Sequence, residues 1–198
     1  MLEAKKKLKH YRKKFPVGSD FLVGINIGPN KDSKDRFSDY KVLAKNLSKF
    51  ADYISINVSS PNTPNLREFQ NKENLEKVIN FVKDGIAKSK TSNKKLPIFL
   101  KIAPDINKQT LNSIIETAHS QKIYGLIISN TTLDRENNLK SKKSNELGGL
   151  SGKPLFKKST DILSQANKII KNNNYKLFLI AAGGVSAVSY THLRAHET

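Results

Sequence analysis

Five short apolar runs recur along the chain, and each of them ends in small or polar residues. The runs are rich in Ile, Leu and Val and do not alternate strictly with polar residues, which is typical of strands in a parallel sheet that is buried on both faces. They span residues 21–28, 53–60, 97–104, 125–131 and 177–184. We therefore predict five buried strands.

Amphipathic helical patterns lie between these runs, at residues 40–50, 74–87, 108–120 and 154–171. In the second pattern, apolar residues recur at helical spacing from Leu75 to Ile86. Alternation of strand and helix predicts an α/β fold with a parallel sheet. It leaves a doubly wound sheet and a (β/α) barrel both open. No Gly-x-Gly-x-x-Gly follows the first run, which disfavours a dinucleotide-binding Rossmann unit.

One longer irregular stretch covers residues 133–149. It is too charged to belong to a core, and long loops inside compact domains usually have a function. We predict that it is an active-site lid.

The charge of the chain invites a nucleic-acid interpretation, which its distribution does not support. The net charge is +18 over 198 residues, but the chain has 30 Lys and only 5 Arg. Nucleic-acid binders favour Arg, which binds bidentately and stacks on bases. The Lys residues are scattered over predicted helix faces and loops, where a solvated surface explains them. We expect no nucleic-acid partner, although a basic binding module remains an alternative.

The chain lacks Cys and lacks long apolar segments, and both facts limit the kinds of function that it can have. The chain contains no Cys, which excludes disulfides, thiolate metal sites and a cysteine acid, base or nucleophile. No apolar run approaches the roughly 18 residues that would span a bilayer, and the Lys-rich start is not followed by the apolar segment of a signal peptide.

The ends of the predicted strands carry side chains suited to a polar, planar ligand. The second run continues into Asn57-Val58-Ser59-Ser60-Pro61-Asn62-Thr63-Pro64, which on its own could be an ordinary polar turn. Lys101 lies inside an apolar strand, where an ammonium usually meets an anion, unless the side chain reaches the rim. Amide side chains match the alternating donors and acceptors of a pyrimidine or a flavin. The glycines of Gly148-Gly149-Leu150-Ser151-Gly152 and Gly183-Gly184 permit the close backbone approach that a phosphate needs, although each glycine pair could be a simple turn.

Together these segments resemble the dihydroorotate dehydrogenases. The matching segments occur in the family's order over roughly residues 20–186: 24–28, 57–64, 101–105, 129–135 and 148–154. Class 2, quinone-dependent members use a serine as catalytic base, whereas soluble class 1 members use a cysteine. Ser60 occupies the base position and the chain has no Cys, so the resemblance is to class 2.

The resemblance implies an FMN-containing (β/α)8 TIM barrel that oxidises dihydroorotate to orotate in de novo pyrimidine biosynthesis, with a quinone as acceptor. It implies that Ser60 is the catalytic base and Thr63 relays its proton. The residues implied to bind the substrate are Asn57, Asn62, Asn130 and Thr131. Those implied to bind FMN are Asn26, Asn57, Lys101, Ser129, Gly152 and Gly184. No metal site is expected.

The same alignment implies that the chain is an internal piece of the enzyme. Residues 1–186 are expected to form a partial FMN-binding barrel with roughly strands 3 to 7 of eight. The first two strands and an N-terminal helical pair that meets the membrane are expected before Met1. The full-length protein is then expected to be cytoplasmic and peripheral on the inner face of the cell membrane. The chain alone is expected to bind FMN weakly and to be inactive.

The last segment, 187–198, departs from the family pattern. His192, His196 and Glu197 are spaced as metal ligands could be, but the segment resembles translated read-through of a sequencing adaptor. We expect an artefactual tail. Among enzymes, the alternative is another FMN barrel such as a dihydrouridine synthase acting on tRNA, which uses a cysteine that this chain lacks.

Overall fold

The sheet has five parallel strands, and their order in space is their order in the sequence. A computed structural model describes residues 1–89, 95–135, 139 and 144–186. The strands are β1 (Gly24–Ile27), β2 (Tyr53–Asn57), β3 (Ile98–Ile102), β4 (Gly125–Ile128) and β5 (Phe178–Ala181). A doubly wound sheet reverses its strand order at a switch point, and these strands do not. The sheet is therefore part of a (β/α)8 barrel, as predicted.

Helix α1 (Leu2–Lys14) precedes β1, and four helices connect successive strands. These are α2 (Arg36–Leu47), α3 (Lys72–Ala87), α4 (Lys108–Ser120) and α5 (Phe156–Asn172), with short 3-10 helices at Ser48–Phe50, Leu66–Gln70 and Lys153–Leu155. Asp35, Asn71 and Asn107 begin α2, α3 and α4, because each side chain accepts a hydrogen bond from a backbone N–H in the first turn. The four predicted helices are confirmed. No pattern predicted α1, which contains no buried residue.

Alternate strand residues pack against the helices and form the core. This face carries Ile25, Ile27, Ile54, Ile56, Leu100, Ile102, Leu126 and Ile128, all at most 8% exposed. Leu75, Val78, Ile79 and Val82 of α3 are completely buried against the same core. Side chains alternate between the two faces of a strand, so the remaining strand residues point to the opposite side, which we call the inner face.

Aromatic rings occupy the inner face near the N-terminal ends of the strands. Phe99 has its ring centroid 5.4 Å from those of both Tyr53 and Tyr124, and Tyr124 stacks on Phe178 at 4.7 Å. Phe178 is nevertheless 59% exposed. Toward the C-terminal ends, the same face becomes polar, with Asn57 of β2 paired in register with Lys101 of β3.

Among the described residues, no helix is long and apolar enough to cross a membrane. The predicted tail at 187–198 lies outside the described residues.

Candidate active site

The polar residues predicted from the sequence gather at the C-terminal edge of the sheet. In barrels of parallel strands, this edge and the loops that follow it carry the chemistry. Asn57 is the last residue of β2, and Ser129 and Asn130 come directly after β4. Asn130 donates its backbone N–H to the carbonyl of Ile102 at 2.9 Å, which joins the ends of β3 and β4.

Ser59 lies at the centre of a hydrogen-bonded cluster between β2, β3 and β4. Its side chain is fully buried, and its Oγ lies 2.7 Å from the carbonyl oxygen of Lys101, to which it donates. Asn130 Nδ2 donates to Ser59 Oγ at 3.0 Å and to Asn57 Oδ1 at 3.2 Å. Sequence reasoning placed Ser59 inside the motif without giving it a role. Strand alternation turns it inward, because it is two residues beyond Asn57.

The two asparagines of this cluster have different capacity left for a ligand. The side-chain amide of Asn130 donates to Asn57 and Ser59, and its Oδ1 accepts the backbone N–H of Thr131 at 2.8 Å. Asn57 accepts through Oδ1, whereas its Nδ2 donates to no acceptor in the described part of the chain. The cluster therefore presents the Asn57 amide group as a prepared donor.

Ser60 is half-buried and follows this cluster directly. Its Oγ accepts the backbone N–H of Asn62 at 3.3 Å, and Asn62 itself is exposed. Between the side chains of Ser60 and Thr63, both within the described range, the structure has no direct hydrogen bond. The geometry thus brings the candidate base to the edge of the cluster and leaves its hydroxyl proton available.

Lys101 and Asn26 also lie on the inner face, Lys101 in register with Asn57 and Asn26 on β1, in register with Ser55. Lys101 is half-buried, and its ammonium has no hydrogen bond or ion pair with any residue that the structure describes. Asn26 is exposed, and its Oδ1 accepts a hydrogen bond from Ser55 Oγ at 3.0 Å. Both side chains therefore retain groups that a ligand on this face could use.

Two of the glycines predicted to approach a phosphate, Gly152 and Gly184, lie near the start of α5. Gly184 has φ +73°, and a Cβ at this position would lie 2.6 Å from the backbone nitrogen of Phe156. Gly152 has φ +75° and open space where a Cβ would be. Ser159 Oγ donates to the carbonyl of Gly183 at 2.8 Å, which fixes the loop after β5 against α5. Ser129 is buried, and its Oγ donates to the carbonyl of Asn130 at 2.9 Å.

Arg67 and Asp105 form an ion pair at this edge that sequence reasoning missed. Arg67 Nη1 lies 2.6 Å from Asp105 Oδ2, and Lys158 Nζ lies 2.6 Å from Asp105 Oδ1. Burial disfavours the ionised carboxylate, but hydrogen bonds from Lys158, Thr132, the N–H of Leu133 and Arg67 outweigh it and lower the pKa of Asp105 to about 2. Asp105 is therefore a fixed negative charge among strand-end loops.

The stretch predicted as a lid is attached at both of its ends. Thr132 and Leu150 form an antiparallel bridge. Arg135 donates to the carbonyl oxygens of Gly148 at 2.7 Å and Ser144 at 3.2 Å. Residues 136–138 and 140–143 of this stretch lie outside the described range, so its role as a lid stays a prediction. No cluster of potential metal ligands occurs among the described residues.

A family model described as dihydroorotate dehydrogenase matches residues 1–191. This chain belongs to the dihydroorotate dehydrogenase family. Its curated relatives include proteins named "Dihydroorotate dehydrogenase (quinone)" from Rhizobium leguminosarum bv. trifolii, 42% identical over 169 residues, and from Agrobacterium fabrum, 43% identical over 170 residues. In both comparisons the alignment covers 84% of this chain and 45% of the relative. The chain spans about half the length of these dihydroorotate dehydrogenases.

Solved structures give the same result for the fold. The crystal structures of Eimeria tenella DHODH, ligand-free and in complex with ferulenol, each superpose with a TM-score of 0.83. Their identities to this chain are 31% and 30%, over 96% of its length. The superposition covers 57% and 54% of the two dihydroorotate dehydrogenase chains.

Proposed function

We propose that the protein containing this chain is a class 2 dihydroorotate dehydrogenase, which oxidises dihydroorotate to orotate with FMN and passes the electrons to a quinone. The observation that carries the proposal is Ser60, a hydroxyl beside the Asn57–Ser59–Asn130 cluster in a chain without Cys. The names of the curated relatives support the quinone as acceptor. The alternatives, a dihydrouridine synthase and a nucleic-acid module, receive no support from the family match.

The donor set on the inner face fits FMN. Lys101 is half-buried and has no acceptor among the residues that the structure describes, which is costly for an ammonium, so it is suited to a ligand that is anionic or rich in acceptors. Asn26 and Asn57 add amide groups for the edge of a flavin ring, and Ser129 adds a hydroxyl. Gly152 and Gly184 lie beside the start of α5, where backbone N–H groups and the helix dipole favour a phosphate. We assign these six residues to the cofactor.

In the proposed reaction, Ser60 takes the proton from C5 of dihydroorotate. When bound, FMN supplies the acceptor for the hydride that leaves C6. A neutral hydroxyl is a weak base, so the proton of Ser60 must move onward as the new one arrives. Thr63 is the next hydroxyl along the loop, and because the two side chains share no direct hydrogen bond we assign the relay to Thr63 through a bridging water.

The substrate is proposed to lie against the strand-end cluster. The free Asn57 amide donates to a carbonyl of the pyrimidine ring, and Asn62 and Thr131 approach from the loops on either side. Asn130 acts mainly by fixing Asn57 and Ser59, since its own amide hydrogens are used there. Such fixed donors cost little reorganisation when the substrate binds. We also propose that the full-length protein is peripheral on the membrane, where a region outside this chain meets the quinone.

The test is an assay of the full-length protein with dihydroorotate and different acceptors. We expect orotate formation with a quinone and little with fumarate or NAD alone. Turnover only with fumarate or NAD would contradict the class 2 assignment, and absence of turnover with every acceptor would contradict the proposed function. The protein as isolated should also contain FMN, which its absorbance spectrum reports.

A further inference from the structure

Arg67 connects the loops that follow three successive strands. Its Nε donates to the carbonyl of Ser59 after β2 at 3.3 Å, and its Nη2 donates to the carbonyl of Thr131 after β4 at 3.0 Å. Its Nη1 pairs with Asp105, after β3, at 2.6 Å. The guanidinium is planar with donors in a fixed fork, so these three contacts define one relative placement of the loops.

The contact with Ser59 bears directly on Ser60. The peptide group between them is planar, so holding the carbonyl oxygen of Ser59 also holds the nitrogen and Cα of Ser60. Ser59 is further fixed through its Oγ, which donates to the carbonyl of Lys101 at 2.7 Å. The Ser60 side chain itself is in contact only with the N–H of Asn62 among the hydrogen bonds of the described residues. The position of the Ser60 hydroxyl therefore depends on the peptide that Arg67 holds.

Asp105 joins Arg67 to the base of the predicted lid. The backbone N–H of Leu133 donates to Asp105 Oδ2 at 2.9 Å, and the Thr132 hydroxyl donates to Oδ1. Lys158 of α5 pairs with the same carboxylate. A displacement of Thr132 or Leu133 is thus transmitted to the carboxylate on which Arg67 rests.

We propose that Arg67, held by Asp105, is the positioning residue for the catalytic base Ser60, and that it ties the placement of this base to that of residues 132–133. The inference rests on the proposed function and adds to it a residue that does not touch substrate or cofactor. A lysine at position 67 keeps the positive charge for Asp105 but lacks the fork that reaches the Ser59 and Thr131 carbonyls. Arg67→Lys therefore isolates the geometry from the charge.

The experiment compares full-length Arg67→Lys with unmodified enzyme in rapid mixing with dihydroorotate. We expect the rate constant for flavin reduction at saturating substrate to fall about 10- to 100-fold, as for a misplaced catalytic group. The half-saturating concentration should change less than about threefold, because Asn57 and Asn130 keep their contacts and only Thr131 among the proposed substrate residues loses a bond to Arg67. We also expect the ratio of the C5 deuterium isotope effect to the C6 deuterium isotope effect to be larger in the variant than in the unmodified enzyme. The reason is that proton removal by Ser60 becomes the harder step.

Arg12→Lys is the matched control. Arg12 makes the same type of contacts, to Asp52 at 2.5 Å and to the carbonyl of Phe50 at 2.8 Å, but before β2 rather than after it. It should lower thermal stability and leave both the rate constant and the ratio of isotope effects unchanged. Asp105→Asn is the second variant, and should raise amide hydrogen exchange at Leu133 while shifting the isotope effects in the same direction as Arg67→Lys.

Each outcome of these measurements either supports or contradicts the role proposed for Arg67. A slower Arg67→Lys enzyme with a raised C5 effect supports the proposal. A loss no larger than that of Arg12→Lys, or a loss with unchanged isotope effects, overturns it. If Arg67→Lys does not fold, Asp105→Asn decides by the same two readouts. If the unmodified enzyme does not oxidise dihydroorotate, the proposed function fails first, and the inference fails with it.

Discussion

Two arginine–aspartate pairs of similar chemistry lie at opposite ends of the sheet. Arg12 and Asp52 lie where the strands begin, with side chains only 7% and 8% exposed, whereas Arg67 and Asp105 lie where the strands end, at 21% and 14%. Both arginines also donate to backbone carbonyls. The two pairs differ in the segments that contain those carbonyls: Phe50 precedes β2, whereas Ser59 follows it.

The pair at the start of the strands holds backbone groups that precede β1 and β2. Asp52 accepts the backbone N–H groups of Gly18 and Val23, and the aromatic row from Tyr53 to Phe178 lies at this end of the inner face. The pair at the end of the strands holds loops that carry Ser60 and Thr131. In barrels of this kind, one end supplies stability and the other supplies the reaction. We therefore propose that ion pairs of the same type have a structural task at one end and position the loop that carries Ser60 at the other.

The strongest way to break this comparison is to remove a serine hydroxyl at each end. In the full-length enzyme, Ser60→Ala should slow flavin reduction by about 10²- to 10⁴-fold, since a general base is lost, while FMN stays bound. Ser60→Cys should retain part of the activity. Stopped-flow absorbance measures the rate.

Ser48→Ala is the matched change at the other end. Ser48 is buried, and its hydroxyl has no hydrogen-bond partner in the described part of the chain. Its removal should leave the rate unchanged and the stability equal or higher. Equal rates for the Ser60 and Ser48 variants would show that Ser60 is not the base.

A second prediction compares alanine substitutions at Gly184 and Gly152, which lie near the start of α5. Gly184→Ala places a Cβ 2.6 Å from the Phe156 backbone, and the left-handed conformation adds strain, together costing about 1–3 kcal/mol. FMN affinity should fall about tenfold or more, measured by flavin fluorescence on apoprotein. Gly152→Ala has a similar φ but open space, so it should weaken binding less. Equal losses would indicate that the close approach to Phe156 has no part in binding.

The smallest predicted effect concerns pH. The pKa of Asp105 is about 2 in the folded protein, against 3.8 as its ordinary value, so its charge stabilises the fold above about pH 4 and this contribution is lost as the pH falls toward 2. Asp105→Asn should lower the free energy of unfolding by about 1–2 kcal/mol at pH 6, a value reduced for partial solvent exposure, and by less at pH 3. Urea unfolding at both pH values measures this.

Asp52→Asn is the matching change in the pair at the start of the strands, and its stability and reaction rate are compared with those of Asp105→Asn. Burial raises the pKa of Asp52, but the hydrogen bonds from Arg12, Val23 and Gly18 outweigh it, so the pKa is lowered overall. The pH dependence should therefore have the same sign as for Asp105→Asn. Only Asp105→Asn should also slow the reaction. A slower Asp52→Asn enzyme with intact FMN content would mean that the two ends do not divide their tasks as we describe.

Elements with a strong local signal could be predicted from the sequence. The pattern at 108–120 predicts a helix, and α4 has the same bounds, because the Asn107 cap and the buried stripe from Leu111 to Ala118 agree. The first apolar run predicts a strand from residue 21, but β1 begins at Gly24, and Phe21 and Leu22 before it are 57% and 70% exposed. Helix α1 was not predicted, because its apolar residues form no stripe that could be buried.

The site was predictable only where one segment contains the signal. Asn57, Ser60 and Lys101 stand out at the ends of apolar runs. Arg67 and Asp105 are 38 residues apart, so nothing local pairs them. Ser59 and Ser60 are indistinguishable by composition, and only the direction in which the strand turns its side chains separates the buried centre of the cluster from the candidate base. The roles of the predicted site residues stay predictions.

The fork of Arg67 also has a consequence for how this barrel could diversify. Barrel enzymes gain new activities when single loops after the strands change while the scaffold is kept. Here the loops after β2, β3 and β4 share one guanidinium and one carboxylate, so a change in one loop alters the support of the other two. Loop exchange between distant barrels should therefore succeed only when all three loops are transferred as one unit.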